Sequence, residues 1–221
     1  MLWLKALRDG NEKAIQVELI KCRDPWYWLT NWAMTENPAS QKPDPFEKFP
    51  DKQHLYNLTR IFEREKRLII PKSRQMTVTW LFIALYLHEA MWKPSRLIFI
   101  QSKKEQDADE VLERGFSIYQ KLPTFMRNWQ PLTHNKKTFC EMKFSRNRSR
   151  ILAVPEGPDH IRGFSPTDIF SDETCFQDDV EKMTASAMPA LGLHGRLVMV
   201  SSAAPSFMEL LAMDRANARA S

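Results

Sequence analysis

Glycine is scarce in this chain, with six among 221 residues and none between Gly10 and Gly115. The usual phosphate-binding loop, G-x-x-x-x-G-K-[ST], needs two glycines at fixed positions, so that form is excluded throughout the first half. Cysteine is sparser still. Cys22, Cys140 and Cys175 are far apart, odd in number and without a C-x-x-C pair, which excludes a disulfide framework and argues against zinc. Reduced thiols in an intracellular protein are the plain reading. His54, His88, His134, His160 and His194 are equally scattered, and none is assigned as a ligand. The most apolar stretch, 80–86, is too short to cross a bilayer. The opening MLWLKALRDG lacks the long apolar core and cleavage site of an export signal. There are no internal repeats and no low-complexity tracts.

What is present suits one sizeable α/β domain with a small appended segment. Hydrophobic residues make up 43% and charged residues 27%, ordinary for a globular protein. The net charge of +5 permits a polyanionic partner without demanding one. The first third reads as helices: 11–21 has apolar positions at helical spacing, and Asp24-Pro25 supplies an N-cap followed by proline at the first helical position. The next helix carries Trp26, Tyr27, Trp28, Leu29 and Trp32, a packing face or a base-stacking platform. Four prolines between 37 and 50 predict an extended linker, and Asp51 is expected to cap a helix running to about Arg64. From there strands predicted at 67–71, 96–101, 167–171 and 196–201 alternate with helices at 77–91, 103–121 and 178–190. That alternation points to a parallel sheet wrapped by helices. An antiparallel pair, 138–144 and 150–154, flanks the turn SRNRS.

Three places carry candidate chemistry. KSRQMTVTW, Lys72 to Trp80, follows the strand RLII and opens a helix. Free backbone N–H groups and the positive helix end meet at such a junction and suit a phosphate, although an ordinary strand–turn–helix has the same outline. Aligned with the usual loop, Val78 falls on the lysine position, Thr77 on the second glycine, and only Thr79 fits. A β-branched residue resists positive φ, so Thr77 has to turn differently or carry strain. Second, TDIFSDETCF ends a short strand in Asp172 and Glu173 at the carboxyl edge of the sheet, where ligands bind in such folds. One acid can organise hydrated Mg²⁺ while the other polarises water; a solvated helix start is the plainer alternative. Third, the apolar strand RLVMVSS ends in Ser201 and Ser202.

In this order the motifs resemble those of the large terminase subunit of tailed phages, the DNA-packaging motor protein. KSRQ-x-x-V-T-W resembles a deviant Walker A with its lysine at the start. The resemblance implies that Lys72, Ser73, Arg74, Gln75, Met76, Thr77, Val78 and Thr79 form the nucleotide loop. Lys72 would neutralise phosphates, Arg74 sense the γ-phosphate, and Thr79 bind Mg²⁺. Asp172-Glu173 resembles Walker B, with Asp172 on the metal side and Glu173 as catalytic base. Arg162, in IRG before that strand, matches a trans-acting arginine finger, or else pairs structurally with Asp159 or Asp168. RLVMVSSAAPSF resembles the coupling motif, with Ser201 and Ser202 lying between the phosphate loop and the acids if the strand order is that of the additional-strand ATPases. FPDKQHLYNL resembles the adenine-contacting segment, with Gln53 and Tyr56 as candidates. DPWYWLTNW resembles the lid-side segment. The turn KFSRNRSR, Lys143 to Arg150, contacts DNA phosphates or is merely solvated.

The implied fold is a P-loop NTPase of the additional-strand (ASCE) α/β class, a mainly parallel sheet flanked by helices with an N-terminal helical segment. Residues 1–50 would form the helical lid segment and linker, and 51–221 the ATPase core, without the family's C-terminal nuclease domain. The implied activity is ATP hydrolysis with Mg²⁺, coupled to movement of double-stranded DNA into a procapsid. The implied partners are the portal protein, the small terminase subunit and further copies in a ring on the procapsid. The isolated domain would be a monomer in the host cytoplasm, with no membrane association. The alternatives are another translocase or helicase-like ATPase, for which DETC lacks the D-E-x-[DH] pattern, and a catalytically weak scaffold for DNA or portal.

Overall fold

The computed structural model describes residues 2–37, 40–73, 77–134, 140–154, 164–177, 180–191 and 195–202. Three short helices open the chain: α1 (Leu2–Arg8), α2 (Glu12–Lys21) and α3 (Pro25–Asn31). The Asp24 carboxylate accepts from the Tyr27 N–H at 2.7 Å with Pro25 next in line, the capped start that the sequence predicts. The aromatic residues of α3 form a packing face. Trp28 is fully buried against His88 and Trp92, and Trp32 and Tyr27 both donate to the buried Glu18 carboxylate.

The expected linker is partly a sheet. β1 (Met34–Glu36) pairs antiparallel with β2 (Phe46–Lys48), because alternating residues on either side of the proline-rich segment satisfy one another's backbone groups. Helix α4 runs Gln53–Arg64 with Lys52, not Asp51, at the cap position and no side-chain cap bond.

The core is a seven-stranded sheet of order β3-β9-β8-β4-β7-β6-β5. Its members are β3 (Arg67–Lys72), β4 (Leu97–Gln101), β5 (Leu132–His134), β6 (Glu141–Phe144), β7 (Ser149–Val154), β8 (Asp168–Asp172) and β9 (Arg196–Ser202). The first five in spatial order are parallel, while β6 and β5 are antiparallel additions. This is the expected mainly parallel α/β sheet. β9 lies between β3 and β8, as the additional-strand order requires. The remaining helices are α5 (Val78–Trp92), α6 (Glu105–Lys121), α7 (Thr124–Trp129) and α8 (Val180–Leu191).

Helix α5 is apolar on every side because it is the buried centre of the domain: 81–87 are all fully buried. The sheet covers one side, with α3, α4 and α6 covering others. Gly115 in α6 permits this closeness. A Cβ there would stand 3.2 Å from both Ile83 and Met142, so Ile83 and Met142 would have to shift. A polar exception lies at the N-terminal edge of the sheet. Arg96 pairs with Glu89 (2.8 Å) and Asp168 (2.7 Å), and Arg196 with Asp168 (3.1 Å) and Glu89 (3.4 Å). The Arg196 guanidinium also rests 4.0 Å from the centre of the Phe62 ring. Burial pushes the Asp168 carboxyl up, with Arg96 and Arg196 offsetting only part of it. Burial also raises Glu89, but Arg196 and Arg96 outweigh it and hold that carboxyl low.

Candidate nucleotide site

In a parallel sheet all strands end at the same edge, so residues distant in sequence converge there. Lys72 ends β3, Asp172 ends β8 and Ser202 ends β9, with Thr79 in the first turn of α5 beside them. The Lys72 Nζ donates to Thr79 Oγ1 at 2.8 Å and to Asp172 Oδ1 at 2.9 Å, and pairs with Glu173 Oε1 at 3.1 Å. The Thr79 hydroxyl lies 3.2 Å from both oxygens of Asp172. Lysine, threonine and two acids thus touch one another across 100 residues of sequence. They line a cavity of about 440 Å³ whose other wall is α6, with Ser102, Lys103, Asp107, Glu110 and Arg114. None of these α6-side residues stands out in the sequence; only their spacing along one helix face could have indicated them.

The backbone is left-handed at two points of this edge. Thr77, just before α5, has φ 62° and ψ 9°, the positive φ that the glycine of the usual loop would supply. A β-branched residue there costs about 1–2 kcal/mol. Glu173 has φ 50° and ψ 41°, which turns its carboxylate from the strand end toward β9. There the Ser202 N–H donates to Oε2 at 3.1 Å and the Ser202 hydroxyl to Oε1 at 3.2 Å. Burial raises the Glu173 carboxyl, but the Ser202 N–H and the Lys72 ammonium outweigh it and hold it below the usual range. Ser201 points elsewhere: its buried oxygen accepts from the Cys175 N–H at 3.2 Å.

Not every expected residue joins the cavity. Ser73 is exposed at the loop entry. Val78 is buried in the core, so the position that holds lysine in the usual loop is an apolar packing position here. Gln53 bonds to Asn57, and Tyr56 meets Trp26 edge-on with Arg60 over its ring; neither lines the cavity described for Lys72. The adjoining face of α4 does border one. His54, Asn57, Leu58 and Ile61 close a hollow of about 430 Å³ with β3 and Val78. The His54 Nε2 is buried there without a partner among the described residues. The i, i+3, i+4, i+7 spacing of these four residues was the available signal. Arg74, Gln75, Met76 and Arg162 lie outside the described residues, as does everything from 203 onward. Asp168, one partner weighed for Arg162, is engaged by Arg96 and Arg196.

Among the described residues no group of three or more His, Cys, Asp or Glu could by itself hold a metal. The Thr79 hydroxyl and Asp172 carboxylate are still an adequate protein share for Mg²⁺. That ion keeps several waters and takes the rest of its shell from substrate phosphates.

A parallel sheet with an inserted β9, and lysine, threonine and paired acids at its carboxyl edge, defines the class as the P-loop NTPase fold of the additional-strand type. Within that class the chain has the fold of phage large-terminase ATPase domains. It superposes on the large terminase ATPase domain of Thermus phage P74-26 with a TM-score of 0.60 at 14% identity, over 75% of this chain and 70% of that one. The HK97 bacteriophage large terminase gives 0.67 at 15% identity over 89% of this chain and 41% of that one. A large terminase from a thermophilic bacteriophage gives 0.55 at 12% identity, over 76% of this chain and 43% of that one. This chain therefore spans less than half the length of the latter two proteins. No protein-family model and no curated protein matches the sequence.

Proposed function

We propose that this chain is the ATPase of a phage DNA-packaging motor, hydrolysing Mg²⁺-ATP to drive double-stranded DNA into a procapsid. The observation that carries the reading is the convergence of Lys72, Thr79, Asp172 and Glu173 at the carboxyl edge, within 3.2 Å of one another in a chain of contacts.

In this reading Lys72 leaves its carboxylate partners and turns to the β- and γ-phosphates, compensating charge from the strand side of the loop. Thr79 and Asp172 hold Mg²⁺, which supplies the positive charge that offsets the triphosphate. Glu173 orients the attacking water and takes its proton. Arg74 senses the γ-phosphate, and Arg162 reaches the site of a neighbouring copy in a ring. The base occupies the apolar hollow under α4, against Leu58, Ile61 and Val78; this replaces Gln53 and Tyr56 as base contacts. Ser202 is the coupling residue. It holds the Glu173 carboxylate through both its N–H and its hydroxyl while Lys72 neutralises it, so nucleotide entry has to release the base from both. Portal protein, small terminase subunit and the host cytoplasm follow from the same reading.

The test is phosphate release in the presence of DNA and procapsids. Lys72→Ala is expected to abolish turnover with the fold retained, while Val78→Lys alone restores nothing. Turnover by Lys72→Ala at the parent rate would overturn the reading.

A further inference from the structure

We propose that the N-terminal edge of the β-sheet, opposite the nucleotide cavity, contacts the phosphate backbone of duplex DNA, with the β6–β7 turn at one end and the α4–β3 corner at the other. The inference rests on the packaging-ATPase reading only for its choice of duplex DNA as the polyanion.

Because β7 is parallel to β4, the turn that precedes Ser149 lies at the edge away from Lys72 and Asp172. Lys143, Arg146 and Arg148 are exposed there, and none of the three forms an ion pair with a carboxylate among the described residues; the nearby Glu141 is taken by Arg150. The turn is anchored more firmly than solvation alone requires. The Asn147 side-chain amide donates to the carbonyls of Ala90 (2.7 Å), Met91 (3.2 Å) and Lys93 (3.2 Å) at the end of α5. The Ser95 N–H donates to the Asn147 carbonyl at 2.8 Å, and Arg146 donates to the Trp129 carbonyl at 2.9 Å. Cations on a fixed backbone lose less freedom on contact with a ligand.

At the other end of the same edge, Arg64 closes α4 and Arg67 opens β3, both exposed. Glu65 is the exposed acid between them, while Glu63 is engaged by Arg60. Between the two ends, Arg96, Arg196 and Lys93 face Glu89 and Asp168, so this cluster adds no negative field. The carboxyl edge differs, because the cations of its cavity, Lys72, Lys103 and Arg114, are matched there by Asp107, Glu110, Asp172 and Glu173. Four strand spacings separate β3 from β7, about 19 Å. That is long enough to lie along about five phosphates of one strand, spaced about 3.4 Å along the axis.

The experiment measures binding of the chain to a fluorescein-labelled duplex of about 30 base pairs, long enough to exceed the proposed footprint several-fold, across a salt series by anisotropy. Lys143→Gln/Arg146→Gln/Arg148→Gln keeps the stems and removes the charges. It is expected to weaken binding roughly tenfold or more and to flatten the log K against log salt slope by about 2–3. Arg64→Gln/Arg67→Gln should flatten it by about 1–2. Lys5→Gln/Lys13→Gln, exposed on α1 and α2, should leave it unchanged. The proposal is overturned if the edge variants keep the parent slope, if the α1–α2 control flattens it equally, or if the parent chain does not bind the duplex. ATP binding is measured alongside. Edge-dependent DNA binding without ATP binding would sink the ATPase reading and leave this surface standing.

Discussion

At the N-terminal edge of the sheet Arg96, Arg196 and Lys93 face Glu89 and Asp168, and both carboxylates and Arg196 are buried. At the carboxyl edge one lysine faces two carboxylates, and Lys72, Asp172 and Glu173 border an open cavity of about 440 Å³. Both are ion clusters at strand ends. The first buries both carboxylates, so a lost cation leaves buried negative charge less well compensated. The second is short of positive charge and open to ligands, so its partners can be exchanged for phosphates and a cation. Ion pairs of similar length thus serve structure at one edge and suit turnover at the other, and the cavity that the second cluster borders makes the difference.

The sharpest way to break the comparison is to neutralise one member at each edge. Glu173→Gln removes the proposed base and its charge but little packing. Turnover is expected to fall about 10²–10⁴-fold, with Mg²⁺-ATP affinity and melting temperature nearly unchanged. A matching loss of affinity in equilibrium binding would show that Glu173 binds nucleotide rather than acting on water. Arg196→Met at the N-terminal edge should do the reverse. It leaves Asp168 with Arg96 as its one cation among the described residues and Glu89 with Arg96 and Lys93, costing about 3–5 kcal/mol in urea unfolding, while the folded fraction binds ATP as before. A cost below about 1 kcal/mol would mean that the cluster tolerates the loss of a cation.

A third measurement sharpens the contrast through pH. His88, one residue before Glu89, is buried in the core, stacks on Trp92 at 4.6 Å and bonds through Nε2 to the Cys22 carbonyl at 2.8 Å. Burial pulls its pKa from 6.5 down to about 4. The unfolded chain therefore binds a proton that the folded one refuses between these values, so this contribution is complete above pH 6.5 and lost as pH falls toward 4. The gap is worth about 3 kcal/mol. Urea midpoints should fall through that window in the parent and stay flatter in His88→Gln. Equal slopes would show that His88 titrates normally.

Much of this architecture is legible in the residues alone. Parallel strands with helices between them follow from short apolar runs and the punctuation that bounds them, and these are local properties. The carboxyl-edge positions of Lys72 and of the Asp172–Glu173 pair follow as well, because each sits where a strand-length run stops. The strain at Thr77 was also readable, since a β-branched residue stands where a tight loop needs positive φ. The β1–β2 pairing was not, because its strands are three residues each and the proline-rich stretch between them dominates the local signal.

The face of α4 that borders a hollow was not legible for a related reason. Gln53 and Tyr56 are the conspicuous side chains of that segment, yet α4 turns His54, Asn57, Leu58 and Ile61 toward β3. Local sequence by itself determined the parallel strands of the core, the helices between them and where several of them end, since backbone preference and side-chain alternation act over a few neighbours. Tertiary structure alone decided that β9 enters between β3 and β8, bringing Ser202 to Glu173, and that Glu89, Arg96, Asp168 and Arg196 meet. Those contacts join segments up to 130 residues apart, and their energy depends on burial and mutual charge that no local pattern contains.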